Sequence, residues 1–190
     1  GVYVFLFIAL YFEVFLLIAF LEKRPRKTGT LSEPAHFPTV AIIVPCFNEE
    51  QTIADTLRSL LALNYPKEKR SIIVVDDGST DATYAIASSF ETDGVVVHRK
   101  DNGGKHTALN YAIARTDAEL IGCLDADSFV EKDALREIVQ AFAARPHVMA
   151  MTPAILVHRA HTMLERMQKA EYALSVFYRS VFGLIGGLFV

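Results

Sequence analysis

Four short stretches of this 190-residue chain concentrate the side chains that do chemistry. They are Pro45-Cys46-Phe47-Asn48-Glu49-Glu50, Asp76-Asp77-Gly78-Ser79-Thr80-Asp81, Asn102-Gly103-Gly104-Lys105 and Asp125-Ala126-Asp127. Carboxylates dominate, and each stretch follows an apolar run. Residues two apart on an extended backbone project to the same side. Asp125 and Asp127 so placed can hold a hard divalent cation, Mg²⁺ or Mn²⁺, through oxygen ligands. An Asp-x-Asp is also a common helix cap and solvated turn; its place at the end of an apolar strand favours the metal. Gly78, Thr80 and Asp81 read as a turn and a helix cap. That leaves Asp76 and Asp77, whose carboxylates can accept hydrogen bonds from a base edge or ribose hydroxyls. The Gly103-Gly104 turn frees backbone N–H groups and aims Lys105 at a helix N-terminus, which suits a diphosphate. It has neither the Walker spacing nor a GxGxxG pattern. The set describes a nucleotide-diphosphate site serving group transfer from a nucleotide-linked donor. Cation chemistry there would offset charge developing on the leaving diphosphate.

Short β-branched runs at 40–44, 72–75, 95–98, 120–124 and 148–151 predict strands. Helical patterns fall between them, over about 50–63, 81–90, 105–115 and 131–144. Such alternation predicts βαβ units and a parallel sheet, and strands this apolar predict burial on both faces. Ligands of such sheets bind beyond the carboxyl ends of the strands, where all four stretches fall.

The chain is 52% hydrophobic and 22% charged, with net charge −3 and mean hydropathy +0.27. Residues 1–21 hold much of that apolarity, since only Gly1 and Glu13 fall outside the apolar set. As a helix they reach ~31 Å, enough for a hydrocarbon core, so a transmembrane helix is expected. The cations Lys23, Arg24, Arg26 and Lys27 place the following residues in the cytoplasm. A cleaved signal peptide would reverse that order of charge and apolar run. Glu13, mid-span, is expected to face a partner helix. Residues 22–38 read as a basic, Pro-containing linker. Residues 161–190 read as a long helix, polar and then apolar. The charge leaves no nucleic-acid footprint. Cys46 and Cys123 lack CxxC spacing and read as small buried hydrophobes. The histidines form no metal set.

Val44-Pro45-Cys46-Phe47-Asn48-Glu49-Glu50, Val75 to Asp81, Asn102-Gly103-Gly104-Lys105 with Ala108-Leu109-Asn110, and Asp125-Ala126-Asp127 together resemble glycosyltransferase family 2. The likeness covers about residues 40–153. With its flanking apolar helices the chain resembles the membrane-bound branch that includes cellulose, chitin, hyaluronan and poly-N-acetylglucosamine synthases. The resemblance implies an α/β fold of the GT-A type, a Rossmann-like, mostly parallel sheet flanked by helices. It implies a metal-dependent, inverting transfer from a UDP- or GDP-sugar, UDP favoured, to a glycan or lipid-linked acceptor at the cytoplasmic membrane face. In it Asp77 contacts the base and Asp125 the ribose or diphosphate. Asp127 holds the metal with Asp125, and Lys105 lies near the diphosphate. Pro45 and Glu49 line the nucleotide pocket, and Asn48 and Asp76 complete the nucleotide-sugar-binding set.

The expected layout is a transmembrane helix over 1–21, the linker over 22–38, a GT-A donor-binding domain over 39–155, and a helix over 156–190 leading to an acceptor half. Family members supply an Asp general base well after the Asp-x-Asp, and processive members add Gln-x-x-Arg-Trp. Here no Asp follows Asp133 and the chain has no Trp. The base is therefore expected beyond residue 190, so that these residues bind donor without turnover. The alternatives are a polyprenyl-phosphate sugar transferase of the same fold, a receiver-type signalling domain built on Asp76, Asp77 and Asp125, and a donor-binding pseudoenzyme.

Overall fold

The structure, a computed structural model, describes residues 1–23, 36–145, 147–153 and 162–184. The chain divides into two compact units, Leu31–Met149 and a second made of Gly1–Thr30 with Ala150–Val190.

In the first unit, β1 (Val40–Cys46), β2 (Arg70–Asp76), β3 (Val95–Arg99) and β4 (Leu120–Cys123) form a sheet in the order β3-β2-β1-β4. Every pairing is parallel. The register sets Ile42 beside Ile72 and Val44 beside Val74, and branched side chains pack well on a pleated surface. Between the strands run α2 (Ile53–Leu61), α3 (Thr83–Ser88) and α4 (Lys105–Ile113), and α5 (Ala134–Ala143) follows β4. Each helix is shorter than its sequence pattern, because turns take up the first and last residues.

Two apolar layers sandwich the sheet. On one face Ile53, Leu57 and Leu60 of α2 meet Ala87 of α3 and Leu135 and Val139 of α5. The spacing 53, 57, 60 places one face of α2 on the sheet. On the other face Ala108 and Ala112 of α4 pack on Ala41, Ile43, Ile73 and Val75. Alanines one turn apart let the helix backbone approach the strands closely.

Three expectations need correction. Burial on both faces holds for β1, and over the last five residues of β2, but not for the edge strands. Val96 of β3 is 45% exposed and Ile121 of β4 is 48% exposed, because each has a neighbour on one side only. Cys123 is likewise exposed rather than buried. Residues 148–151 form no strand and pair with none of β1–β4; the Val148 N–H donates to the Arg145 carbonyl at 2.9 Å.

The second unit contains α1 (Val2–Lys23) and, by the same chain order, α6 (Met163–Leu184). Tyr178 Oη of α6 donates to Glu13 Oε1 of α1 at 3.1 Å, so the partner expected for Glu13 lies within this chain. Where the transmembrane helix is expected the structure has α1, and among the described residues no helix is long and apolar enough to cross a membrane. The expected linker falls mostly on 24–35 and the ends of the expected C-terminal helix on 154–161 and 185–190, outside the described residues.

Candidate active site

The chain passes from β1 outward to β2 and β3, then returns to place β4 on the other side of β1. The carboxyl ends of β1 and β4 therefore flank the point where the winding reverses, which is where open parallel sheets bind ligands. A cavity of about 310 Å³ lies there. Pro45, Cys46, Phe47 and Glu49 line it from the β1 end, Asp77 from the β2 end, Lys105 from α4, and Asp125, Ala126 and Asp127 from the β4 end.

The β1 turn is fixed by its neighbour. Asn48 has φ +55°, a left-handed backbone that Asn tolerates better than most residues. Its N–H donates to Ser79 Oγ at 2.9 Å, and its Oδ1 accepts the Thr80 N–H at 2.9 Å. Glu49 N–H donates to Thr83 Oγ1 at 2.7 Å. The turn so stitched presents Phe47 and Glu49 to the cavity and keeps Asn48 out of its lining. Asp81 lies just before α3, its Oδ1 accepting the Thr83 N–H at 3.0 Å and its Oδ2 the Glu50 N–H at 3.2 Å. Those bonds lower its pKa against the opposing effect of burial.

The two adjacent carboxylates of β2 have separate surroundings. Asp76 is fully buried. It accepts the Ser79 N–H at 3.2 Å and lies 3.1 Å from Arg99 Nε, away from the cavity. Asp77 lines the cavity, but its oxygens are already engaged. Oδ1 accepts from Lys100 Nζ at 2.5 Å and from Gly103 N–H at 3.1 Å, and Oδ2 accepts from Gly104 N–H at 2.7 Å. Burial works to raise its pKa, yet the Lys100 ammonium and the two N–H groups prevail and hold it below the ordinary carboxylate value.

These bonds bend the 102–105 turn over the end of β2. Gly104 adopts φ +88° and leads into α4, which has no side-chain cap. The helix N-terminus and Lys105 thus open on the cavity together, a positive end suited to an anion. Lys105 Nζ donates to Asp125 Oδ1, and both side chains are 56% exposed. That hydrogen bond raises the Lys105 pKa, with burial opposing it.

Ala126 anchors the Asp-Ala-Asp stretch. It is 3% exposed and packs in the larger apolar layer. Its carbonyl accepts from Thr56 Oγ1 of α2 at 2.8 Å. With the middle residue turned inward, Asp125 and Asp127 both lie on the cavity side. Burial of Cys46, with Asp76 nearby, pushes its thiol up to about 12, so it stays an unreactive wall.

Among the described residues no group of three or more His, Cys, Asp or Glu side chains could hold a metal. The Asp125–Asp127 pair still fits a hard divalent ion. It supplies oxygen donors open to the cavity and leaves the other positions to phosphate oxygens and water, as such ions accept.

Of the residues expected in the site, Pro45, Glu49, Asp77, Lys105, Asp125 and Asp127 meet around one cavity; Asn48 and Asp76 stand behind it. Sequence reasoning missed Phe47, Lys100 and Thr56. Register held a signal for Lys100: Asp76 pairs with Arg99, so the residue after each strand falls side by side. A threonine on the apolar face of α2 was the signal for Thr56. The strand order also excludes a receiver domain, whose sheet runs 2-1-3-4-5.

Comparison with known proteins agrees with this geometry. The chain is 33% identical over 158 residues to a poly-beta-1,6-N-acetyl-D-glucosamine synthase of Staphylococcus epidermidis, over 81% of this chain and 38% of the relative. It is 35% identical over 136 residues to the synthase of that name from Staphylococcus aureus strain COL, over 70% of this chain and 32% of the relative. The chain thus spans less than two fifths of these relatives. Among solved structures, the mannosyltransferase PcManGT from Pyrobaculum calidifontis, in complex with GDP-Man and Mn²⁺, matches with TM-score 0.58 and 26% identity over 68% of this chain and 39% of that one. S. aureus TarS 1-349 in complex with UDP-GlcNAc shares the fold, with TM-score 0.53 and 24% identity over 64% of this chain and 38% of that one. The family model of glycosyl transferase family 2 matches residues 41–188. The four-stranded parallel sheet and the helices that flank it are those of a GT-A-like fold, and the chain belongs to glycosyl transferase family 2.

Proposed function

We propose that the cleft binds a nucleoside-diphosphate sugar, UDP-N-acetylglucosamine foremost, for inverting transfer of its hexosyl group to a glycan or lipid-linked acceptor. The observation that carries this reading is the convergence of Asp77, Lys105, Asp125 and Asp127 on one cavity at the reversal of the sheet. The choice of sugar follows the names of the relatives at 33% and 35% identity.

Each group has a task its surroundings fit. Lys105 and the N-terminus of α4 offer positive charge to the diphosphate oxygens. Asp125 and Asp127 hold Mg²⁺ or Mn²⁺, which when bound offsets the negative charge on the departing diphosphate. Asp77, held rigid by Lys100 and two N–H groups, presents a fixed edge to the nucleoside. Phe47, 46% exposed, offers an apolar face for a planar ring. We further propose attachment at a cytoplasmic membrane face. The exposed apolar residues of α1, Phe5 at 73% and Phe7 at 70% among them, support it, as do the cations at 23–27.

Isothermal titration of the chain with UDP and Mn²⁺, repeated on Asp127→Ala and with GDP, tests the reading. UDP binding that requires Mn²⁺, is lost in Asp127→Ala and exceeds GDP binding supports it. Absence of nucleotide binding overturns it. Preference for GDP overturns the choice of UDP.

A further inference from the structure

Lys105 and Asp125 form an ion pair across the cavity at the place where a divalent ion and a diphosphate would meet. Among the described residues that line the cavity, Lys105 is the one cation, against the carboxylates Glu49, Asp77, Asp125 and Asp127. The oxygens of Asp77 are satisfied by Lys100, Gly103 and Gly104, so Asp77 makes no call on Lys105. Lys100 cannot replace Lys105, because its ammonium is held by Asp77, the Asp101 carbonyl and Thr107 Oγ1. Lys105 therefore neutralises one member of the pair of carboxylates that a metal would need.

We infer that Lys105 keeps the seat of the divalent cation at Asp125, and that a nucleoside diphosphate opens this seat by drawing the ammonium onto its own oxygens. The inference rests on the reading of the cleft as a nucleotide-diphosphate site. An ammonium and a divalent ion cannot share one carboxylate oxygen without strong repulsion. Metal alone meets a competitor; metal with nucleotide does not, because the diphosphate gives Lys105 a new partner. The pair is half exposed, so its exchange is cheap and its effect modest. Cation and nucleotide then enter together, each raising the affinity of the other by the same factor.

The two ligands should respond in opposite directions to loss of Lys105. In Lys105→Met, Mn²⁺ alone, followed by electron paramagnetic resonance, is expected to bind about two- to fivefold more tightly than in the wild type. UDP at saturating Mn²⁺, followed by calorimetry, is expected to bind about tenfold more weakly, since a charge-assisted contact is lost. The factor by which UDP tightens Mn²⁺ should shrink in the same variant. Lys105→Arg, which keeps the pair, should resemble the wild type in Mn²⁺ binding. If Lys105→Met leaves Mn²⁺ affinity unchanged or lowers it, or leaves the coupling factor intact, the inference is overturned. If the wild type binds UDP with Mn²⁺ but Lys105→Met shows no such split, only this inference is refuted. Wild-type protein that binds no UDP refutes the reading of the cleft as well.

Discussion

Lys100 Nζ lies 2.5 Å from Asp77 Oδ1, inside a ring of bonds that also takes in Gly103, Gly104 and Thr107. The Lys100 side chain is 19% exposed and that of Asp77 5%, so this pair is largely removed from water. Removing one member of a buried pair strands the other. Lys100→Met should cost about 3 kcal/mol of stability in urea denaturation. It should also weaken UDP binding, because the turn that aims Lys105 loses its anchor. A variant with wild-type stability and wild-type UDP affinity would refute this role for Lys100.

The same carboxylate sets a pH dependence. Its folded pKa lies below its unfolded value, so its contribution is fully present above the unfolded value of about 3.9 and is lost as pH falls through the folded value. Asp77→Asn should therefore flatten the slope of stability against pH below about pH 4. Lys100→Met removes the strongest influence that lowers the pKa, so the folded value moves towards the unfolded one and the slope should flatten in this variant too. Urea midpoints measured from pH 2 to 6 would check both; parallel curves for all three proteins would contradict the assignment.

Much of this site was legible before the fold because its parts are local. Each acidic or glycine-rich stretch follows its own apolar strand, and parallel strands bring their carboxyl ends to one edge. Asp77, Lys105, Asp125 and Asp127 could therefore be placed together from spacing alone. What stayed hidden depends on contacts distant in sequence. Asp76 and Asp77 look equivalent as letters, but the pleat sends one beneath the sheet edge toward Arg99 and the other into the cleft. The left-handed turn at Asn48 looks like one more polar loop residue until Ser79 and Thr80 are seen to hold it. At 148–151 an apolar run, Val-Met-Ala-Met, resembled a strand, yet it pairs with none of β1–β4. Propensity is a weak guide where no neighbouring strand completes the ladder.

Thr56 joins α2 to the metal-ligand candidates through one hydrogen bond, from its Oγ1 to the Ala126 carbonyl at 2.8 Å. Thr56→Val keeps the shape and removes the donor, leaving a buried carbonyl short of a partner. The expected cost is about 1 kcal/mol in urea. The more telling readout is Mn²⁺ affinity in the presence of UDP. It should fall a few-fold, because Asp125 and Asp127 lose the anchor between them. Unchanged affinity would show that packing of the Ala126 methyl alone fixes the pair.

Two glycines separate space from conformation. At Gly103 a Cβ would stand 2.8 Å from Thr107 Oγ1 and 3.2 Å from Lys100 Nζ, so Gly103→Ala must push apart the ring around Asp77. Overpacking of this kind costs roughly 1–3 kcal/mol. UDP affinity should fall with it, since the displaced atoms position Lys105. At Gly94 nothing lies within 4 Å of a Cβ, but φ is +90°. Gly94→Ala should then cost about 1 kcal/mol from backbone strain alone. It lies in the turn before β3, and UDP affinity should stay at the wild-type value. Denaturation and calorimetry on both variants would check the contrast. Equal losses of UDP affinity would mean that general destabilisation, not displacement of the Lys100 and Thr107 side chains, governs nucleotide binding.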